Sequence, residues 1–221
     1  MKKYFFLILF FLSINTYASD QDSTFIKTEL SGNVHEFFGK RLRYPIQLLQ
    51  DDKQGQIVVD FRVNKLGRID SLSLVSYFDK EVSNKIMRLL LSTREMWSPT
   101  IIDGEAQDFV YKLIFDYKIF SGRPSKKSAS QIAINRATKM AKKEKYEKAL
   151  AIMNSIIAKE PYNSSLYQKR AEIYLFLKNK IKSDSDLLLA KKIDREVVAN
   201  IVMFAFKSEQ RVVSRSTINR Y

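Results

Sequence analysis

The sequence predicts an α+β protein in two parts: a three-stranded antiparallel or mixed sheet with a crossover helix, followed by an all-α array of helical hairpins. Three observations carry this. Residues 57–63 and 109–119 alternate apolar with other side chains, the period of two expected of strands covered on one face. Between them Val82, Ile86, Leu89 and Leu90 recur at helical spacing. Beyond residue 121 the texture changes to Ala, Lys, Glu, Ile and Leu with a 3.6-residue period.

From the N-terminus, Lys2 and Lys3 precede an eleven-residue apolar run, Tyr4 to Ile14, and then Asn15-Thr16-Tyr17-Ala18. That run is too short to cross a hydrocarbon core of about 30 Å as a helix. It predicts a secretory signal peptide over residues 1–18, cleaved after Ala18; uncleaved, it would be a membrane anchor. Residues 19–33 are polar, lack sustained periodicity and predict a short lead-in. His35 to Arg43 places Phe37, Phe38 and Leu42 on roughly one helical face, and Pro45 suits the start of a second short helix through Leu49.

In the first strand Ile57, Val59, Phe61 and Val63 alternate with Val58, Asp60 and Arg62. Asn64-Lys65-Leu66-Gly67 supplies a turn, with Gly67 available for positive φ. The next strand, Ile69 to Tyr77, changes parity after Asp70, which predicts a bulge near Asp70 or Ser71. Asp79 is the expected N-cap of the helix carrying Val82, Ile86, Leu89 and Leu90, which ends near Thr93 before Trp97-Ser98-Pro99. Asp103-Gly104 turns the chain into Asp108 to Phe120, where Phe109, Tyr111, Leu113, Phe115, Tyr117 and Ile119 share a face. A right-handed crossover places this third strand beside the first and leaves it at the sheet edge. The sheet domain therefore spans residues 34–120.

Residues 121–129, with Gly122, Pro124 and several Ser, read as a linker. The helical domain follows over residues 130–209, with segments at about 130–142, 145–159, 164–177 and 180–192 and a fifth from Glu196 to Lys207. Residues 210–221 form a basic tail.

The chain carries 38 Lys and Arg against 24 Asp and Glu, a formal charge of +14. Residues 1–120 hold 16 against 15 and residues 121–221 hold 22 against 9, so nearly all the excess lies in the second part. Lys142, Lys145, Lys169, Arg170, Lys178 and Lys182 define a basic helical face dispersed over several helices, a candidate surface for anionic envelope components. Nucleic acid is not expected as a partner of an exported chain.

Catalytic chemistry is not predicted. There is no Cys, which excludes disulfides and thiol nucleophiles, and His35 is the single histidine. No zinc ligand set can be assembled. Asp51-Asp52 and the run Lys182 to Asp186 lack the Gly and terminal Glu of a calcium loop, and no Gly-rich, Lys-ended phosphate loop occurs. The expectation is a non-enzyme with no catalytic residue, cofactor or metal.

Tyr44-Pro45, Gln54-Gly55 with the strand Ile57 to Val63, the Gly67 turn, Trp97-Ser98-Pro99, Asp103-Gly104 and Phe115-Asp116-Tyr117 resemble, in order and spacing, the TonB C-terminal domain over residues 37–120. Ile46-Gln47-Leu48 departs from it, where small or charged residues are usual. The resemblance implies a periplasmic protein that binds an extended segment of an outer-membrane receptor, or another envelope protein, by strand addition in TonB-dependent transport. The strand carried over is Tyr111, Lys112, Leu113, Ile114, Phe115, Asp116 and Tyr117, whose free edge would receive the segment. Full energy transducers also carry a transmembrane helix that docks a proton-driven motor and a proline-rich spacer. Here the N-terminal run has no His and only four prolines occur, so the receptor-binding half of the resemblance is the better supported. Inner-membrane anchoring applies only if the signal is uncleaved.

Ala137 and Ala171 stand 34 residues apart. With Lys145 to Leu150, Glu160-Pro161-Tyr162-Asn163, Tyr167 and Tyr174, they resemble tetratricopeptide repeats over about residues 130–200. Ser183 stands where that family has a small alanine and Arg195 where it has a proline, so the second copy is degenerate. An alternative reading is a structural periplasmic scaffold that forms a homodimer through its sheet edge and binds envelope components through its helices.

Overall fold

The computed structural model describes residues 24–122, 127–207 and 212–213. The expected signal peptide and most of the basic tail lie outside them. Among the described residues the fold is mixed α and β, with seven helices and two sheets. The elements are β1 (Phe25–Ile26), α1 (Val34–Arg41), α2 (Ile46–Gln50), β2 (Gly55–Val63), β3 (Ile69–Ser76), α3 (Lys80–Leu91), β4 (Thr100–Ile102), β5 (Glu105–Gln107), β6 (Phe109–Ser121), α4 (Ala129–Ala141), α5 (Tyr146–Ile157), α6 (Ser164–Phe176), α7 (Lys180–Glu196), β7 (Val197–Lys207) and β8 (Val212–Val213).

The front half forms largely as its local signals require. β2 lies antiparallel to both β3 and β6, with Ile57, Val59, Phe61 and Val63 in the core. The ladder from Arg62↔Ser71 to Val63↔Ile69 skips Asp70, the bulge that brings Ile69 and Leu72 to one side. Gly67 has φ 74°, and a Cβ there would lie 2.4 Å from the Trp97 carbonyl oxygen; both facts demand glycine. The Asp79 carboxylate accepts from the Val82 N–H at 3.0 Å and starts α3, whose Val82, Ile86 and Leu90 are buried. Trp97 packs on Phe61 and donates its indole N–H to Thr93 Oγ1 at 3.0 Å, so its polar atom is satisfied.

Asp103 and Gly104, both at positive φ, make the two-residue turn of a β4–β5 hairpin. β1 pairs with β4 to complete a small three-stranded sheet. The expected lead-in is therefore in part a structural strap: Leu30 and Thr28 are buried. The Thr28 hydroxyl donates to the Ser98 carbonyl at 2.5 Å, and its N–H donates to the Tyr111 hydroxyl at 3.2 Å.

The back half departs from expectation at one decisive place. The predicted fifth helix, Glu196 to Lys207, is instead strand β7, which follows α7 directly and runs parallel to β6 from Lys112↔Val197 to Ser121↔Lys207. The main sheet is thus five-stranded, in the order β3-β2-β6-β7-β8, rather than three-stranded. Parallel neighbours need a crossover connection, and here it is the whole array α4–α7. The helical domain does not run on to residue 209: it is inserted between two adjacent strands, and the chain returns to the sheet. Ala199, Ile201, Met203 and Ala205 join the sheet core beside Leu113, Phe115 and Tyr117. At the junction Val197 packs on the helical core and Val198 on the sheet core.

Within the array the 34-residue spacing recurs in the backbone. Glu144 and Lys178 are both at positive φ, 57° and 55°, and Lys145 N–H to Met140 O is repeated by Asn179 N–H to Tyr174 O. Ala137 and Ala171 are both buried, as are Ala149 and Ser183.

Candidate interaction surfaces

The predicted binding strand is not an edge. β6 is paired with β2 on one side and β7 on the other, so the main-chain groups of Tyr111 to Tyr117 are used within the chain. Tyr111, Leu113, Phe115 and Tyr117 are fully buried in the sheet core, and Ile114 is buried on the opposite face. Lys112 Nζ is held by both carboxylate oxygens of Asp60, at 2.8 and 2.9 Å. Asp116, 6% exposed, accepts from Gln56 Nε2 at 3.2 Å and Asn200 Nδ2 at 3.3 Å and pairs with Lys118 at 3.1 Å. These two charges serve the sheet's outer face. Burial, reinforced by Tyr44 and Asp79, pushes the Tyr117 phenol well above its ordinary pKa. Tyr44, whose ring meets Tyr117 edge-on, is pushed up to about 12 by burial and then by Asp52, and donates to the Lys53 carbonyl at 2.5 Å.

Beyond β6 the sheet continues with β7 and the two-residue β8. Among the described residues β7 is paired on its far side only at Phe206 and Lys207, with β8. From Val197 to Phe206 it carries no charged side chain. Asn200 is exposed and Val202 is 38% exposed, while Phe204 closes against Phe120 and Phe206. Natural edge strands are commonly interrupted by Lys, Pro or bulges that discourage further pairing. β7 has none of these over that stretch apart from one register shift, which falls at its start between Lys112 and Leu113 on β6.

The predicted basic face divides. Arg170 is a tie rather than an open charge: its guanidinium grips Asp186 through two 2.8 Å bonds and Asn154 Oδ1 through a third, joining α5, α6 and α7. Asp186 raises the Arg170 pKa further through the hydrogen bond. Lys169 pairs with Glu172 on its own helix. Lys142, Lys145, Lys178 and Lys182, by contrast, are exposed and lie in or beside the α4–α5 and α6–α7 turns. Those turns meet at one end of the array, where the rings of Tyr146 and Phe176 stack at 5.6 Å and 12°. Lys182 Nζ lies 5.5 Å from the centre of the Tyr174 ring.

The array's other end is fastened to the strap. Lys27 Nζ donates to the carbonyls of Asp194, at 2.8 Å, and Val197, a cation at the negative end of α7. Desolvation lowers its pKa and Asp194 partly offsets that. A cleft of about 340 Å³ beside it is lined by Phe25, Gln168, Leu187 and Arg195. His35 is exposed on α1. None of the described helices is long and apolar enough to cross a membrane.

Sequence reasoning missed β7 and the Phe25–Leu30 strap. The signal for β7 is the uncharged, β-branched and aromatic run Val197 to Phe206, a composition that favours a strand. The strap offered only isolated apolar residues. Comparison with protein-family models, with curated proteins and with solved structures finds no match for this chain.

Proposed function

We propose that the protein is an exported, non-enzymatic adaptor of the cell envelope that binds an extended segment of an outer-membrane protein by strand addition, as an accessory to TonB-dependent transport. The observation that carries the reading is the long uncharged outer side of β7. An added strand there would satisfy main-chain groups in the same way that β7 satisfies those of β6. The resemblance of residues 37–120 to the TonB C-terminal domain supports the class of partner. The position that the family offers to a partner is filled here from within, and the reading moves the binding site to β7.

A second reading is a structural scaffold in which two copies pair β7 to β7. It is favoured by the same strand, since an antiparallel pair of identical edges is self-complementary about a two-fold axis. A photoreactive residue at Asn200 or Val202 separates the two readings in intact cells. Recovery of a periplasmic segment of an outer-membrane protein supports the adaptor; recovery of the same chain alone supports the scaffold. Val202→Lys places a charge opposite Asp116 and should abolish either adduct while leaving the thermal midpoint within about 3 °C. Persistence of the adduct with that variant would exclude β7 as the site.

A further inference from the structure

We infer that the free end of the helical array is a docking surface for an anionic lipid membrane. The inference is independent of what pairs with β7.

The topology defines this end. α7 runs directly into β7 and its last carbonyls are held by Lys27 of the strap, so the end of α7 is at the sheet. The α4–α5 and α6–α7 turns are then at the opposite end, and α7, with 17 residues, spans about 25 Å. The α6–α7 turn is at the far end of α7 from its junction with β7, and the Tyr146–Phe176 stack holds the α4–α5 turn beside it.

Two properties coincide there. The first is apolar exposure: Ile181 is 84% exposed, Phe176 61% and Leu175 54%, three large side chains within seven residues of a turn. Phe176 keeps one face on Tyr146 and turns the remainder outward. The second is charge. Residues 142–148 and 178–184 contain seven Lys against three acidic residues, and one of those three, Asp184, is paired with Lys180.

Apolar side chains on a projecting turn, ringed by lysine, match the layering of a membrane surface. The apolar groups enter the acyl boundary while the ammonium groups remain at the level of the phosphates. A folded acidic protein would satisfy the lysines but offers a projecting Ile181 no deformable surface. A soluble acidic polymer would leave all three apolar side chains in water. The observed combination of both properties selects lipid.

The absence of native cysteine permits a direct test in the full chain. An environment-sensitive fluorophore is attached at Ile181→Cys and, as a control on the sheet body, at the exposed turn position Leu66→Cys. Vesicles of phosphatidylcholine alone, or with a third phosphatidylglycerol, are then added. The expected result is a blue-shifted, brighter signal at position 181 with the anionic vesicles only, and no change at position 66. Replacing Lys142, Lys145, Lys178 and Lys182 together by Gln should weaken this partition at least about 30-fold, and Phe176→Ser should weaken it at least about fivefold. The proposal is overturned if position 181 does not respond, responds equally to neutral vesicles, or responds unchanged in the quadruple variant. It is also overturned if dextran sulfate binds the chain with equal strength whether residue 176 is Phe or Ser and the anionic vesicles produce no blue shift.

Discussion

The sheet core and the helical core are closed in different ways, and the difference accounts for where each leaves a surface available. The sheet core is assembled from distant parts of the chain: strap residue Leu30, Phe38 of α1, Phe61 of β2, Phe115 of β6 and Ile201 of β7 meet in one cluster. The helical core is assembled from neighbours, each helix packing on the next, with a 34-residue internal spacing. A sheet made from distant strands must end somewhere, and among the described residues it ends at β3 on one side and, on the other, at β7, whose outer side is paired only at Phe206 and Lys207. An array built from near neighbours ends in helix faces and turns, and what it exposes is side chains. The first kind of end suits an extended peptide and the second a surface.

The sharpest way to break this comparison is at the point where the two regions join. Ala205 is fully buried in the sheet core on β7, and Ala205→Asp would bury a carboxylate without a partner, costing more than about 4 kcal/mol. If β7 closes both regions, helical and sheet signals should be lost together in a circular-dichroism melt. Survival of the helical signal alone would show that the array folds without the return strand.

Within the array, Arg170→Ala strands Asp186, which is 5% exposed. It should destabilise by about 3 kcal/mol, read as a fall in the denaturant midpoint. Arg170→Met with Asp186→Leu should recover most of the loss, since no buried charge remains. A double variant as weak as the single would mean that the tie contributes specific attraction beyond charge compensation.

The sheet region should respond to alkali more strongly than the array, where burial also raises the Tyr167 phenol. The Tyr44 and Tyr117 phenols are held neutral by burial, with folded-state pKa values raised above the ordinary value near 10. For an acid raised in the folded state, the stabilisation is complete below the unfolded pKa. It is lost as pH climbs towards the folded one, here from about pH 10 to about 12. Denaturation midpoints should therefore drop across that window, and Tyr44→Phe should flatten the drop.

The smallest expected effect has the opposite sign. Ser183 Oγ is buried without a hydrogen-bond partner, and its counterpart 34 residues earlier is Ala149. Ser183→Ala should stabilise by about 1 kcal/mol, seen as a higher melting temperature. A loss instead would show that the hydroxyl is hydrogen-bonded.

Much of this architecture could be read locally. The alternation in β2 and β6, the Asp79 cap, the bulge at Asp70, the Gly67 turn and four helices within a few residues of their bounds all follow from short-range signals. The four lysines of the free end were also identified as residues, but not as neighbours. Their convergence depends on two hairpins folding side by side, fixed by the Tyr146–Phe176 stack. Arg170 departs from the expected open face for a related reason: nothing near it in sequence reveals that Asp186, sixteen residues on, is buried against it.

The sequence by itself determined which segments are strands on one face, which are amphipathic helices, and where the excess positive charge resides, because these depend on spacing within a dozen residues. Only the tertiary structure decided that Val197 to Phe206 is a strand, since a run apolar at both parities apart from Asn200 has no clear period with which to distinguish strand from helix. It also decided that β6 is an interior strand and not an edge. That property belongs to the pairing of β6 with a partner more than eighty residues away, and no local pattern records it.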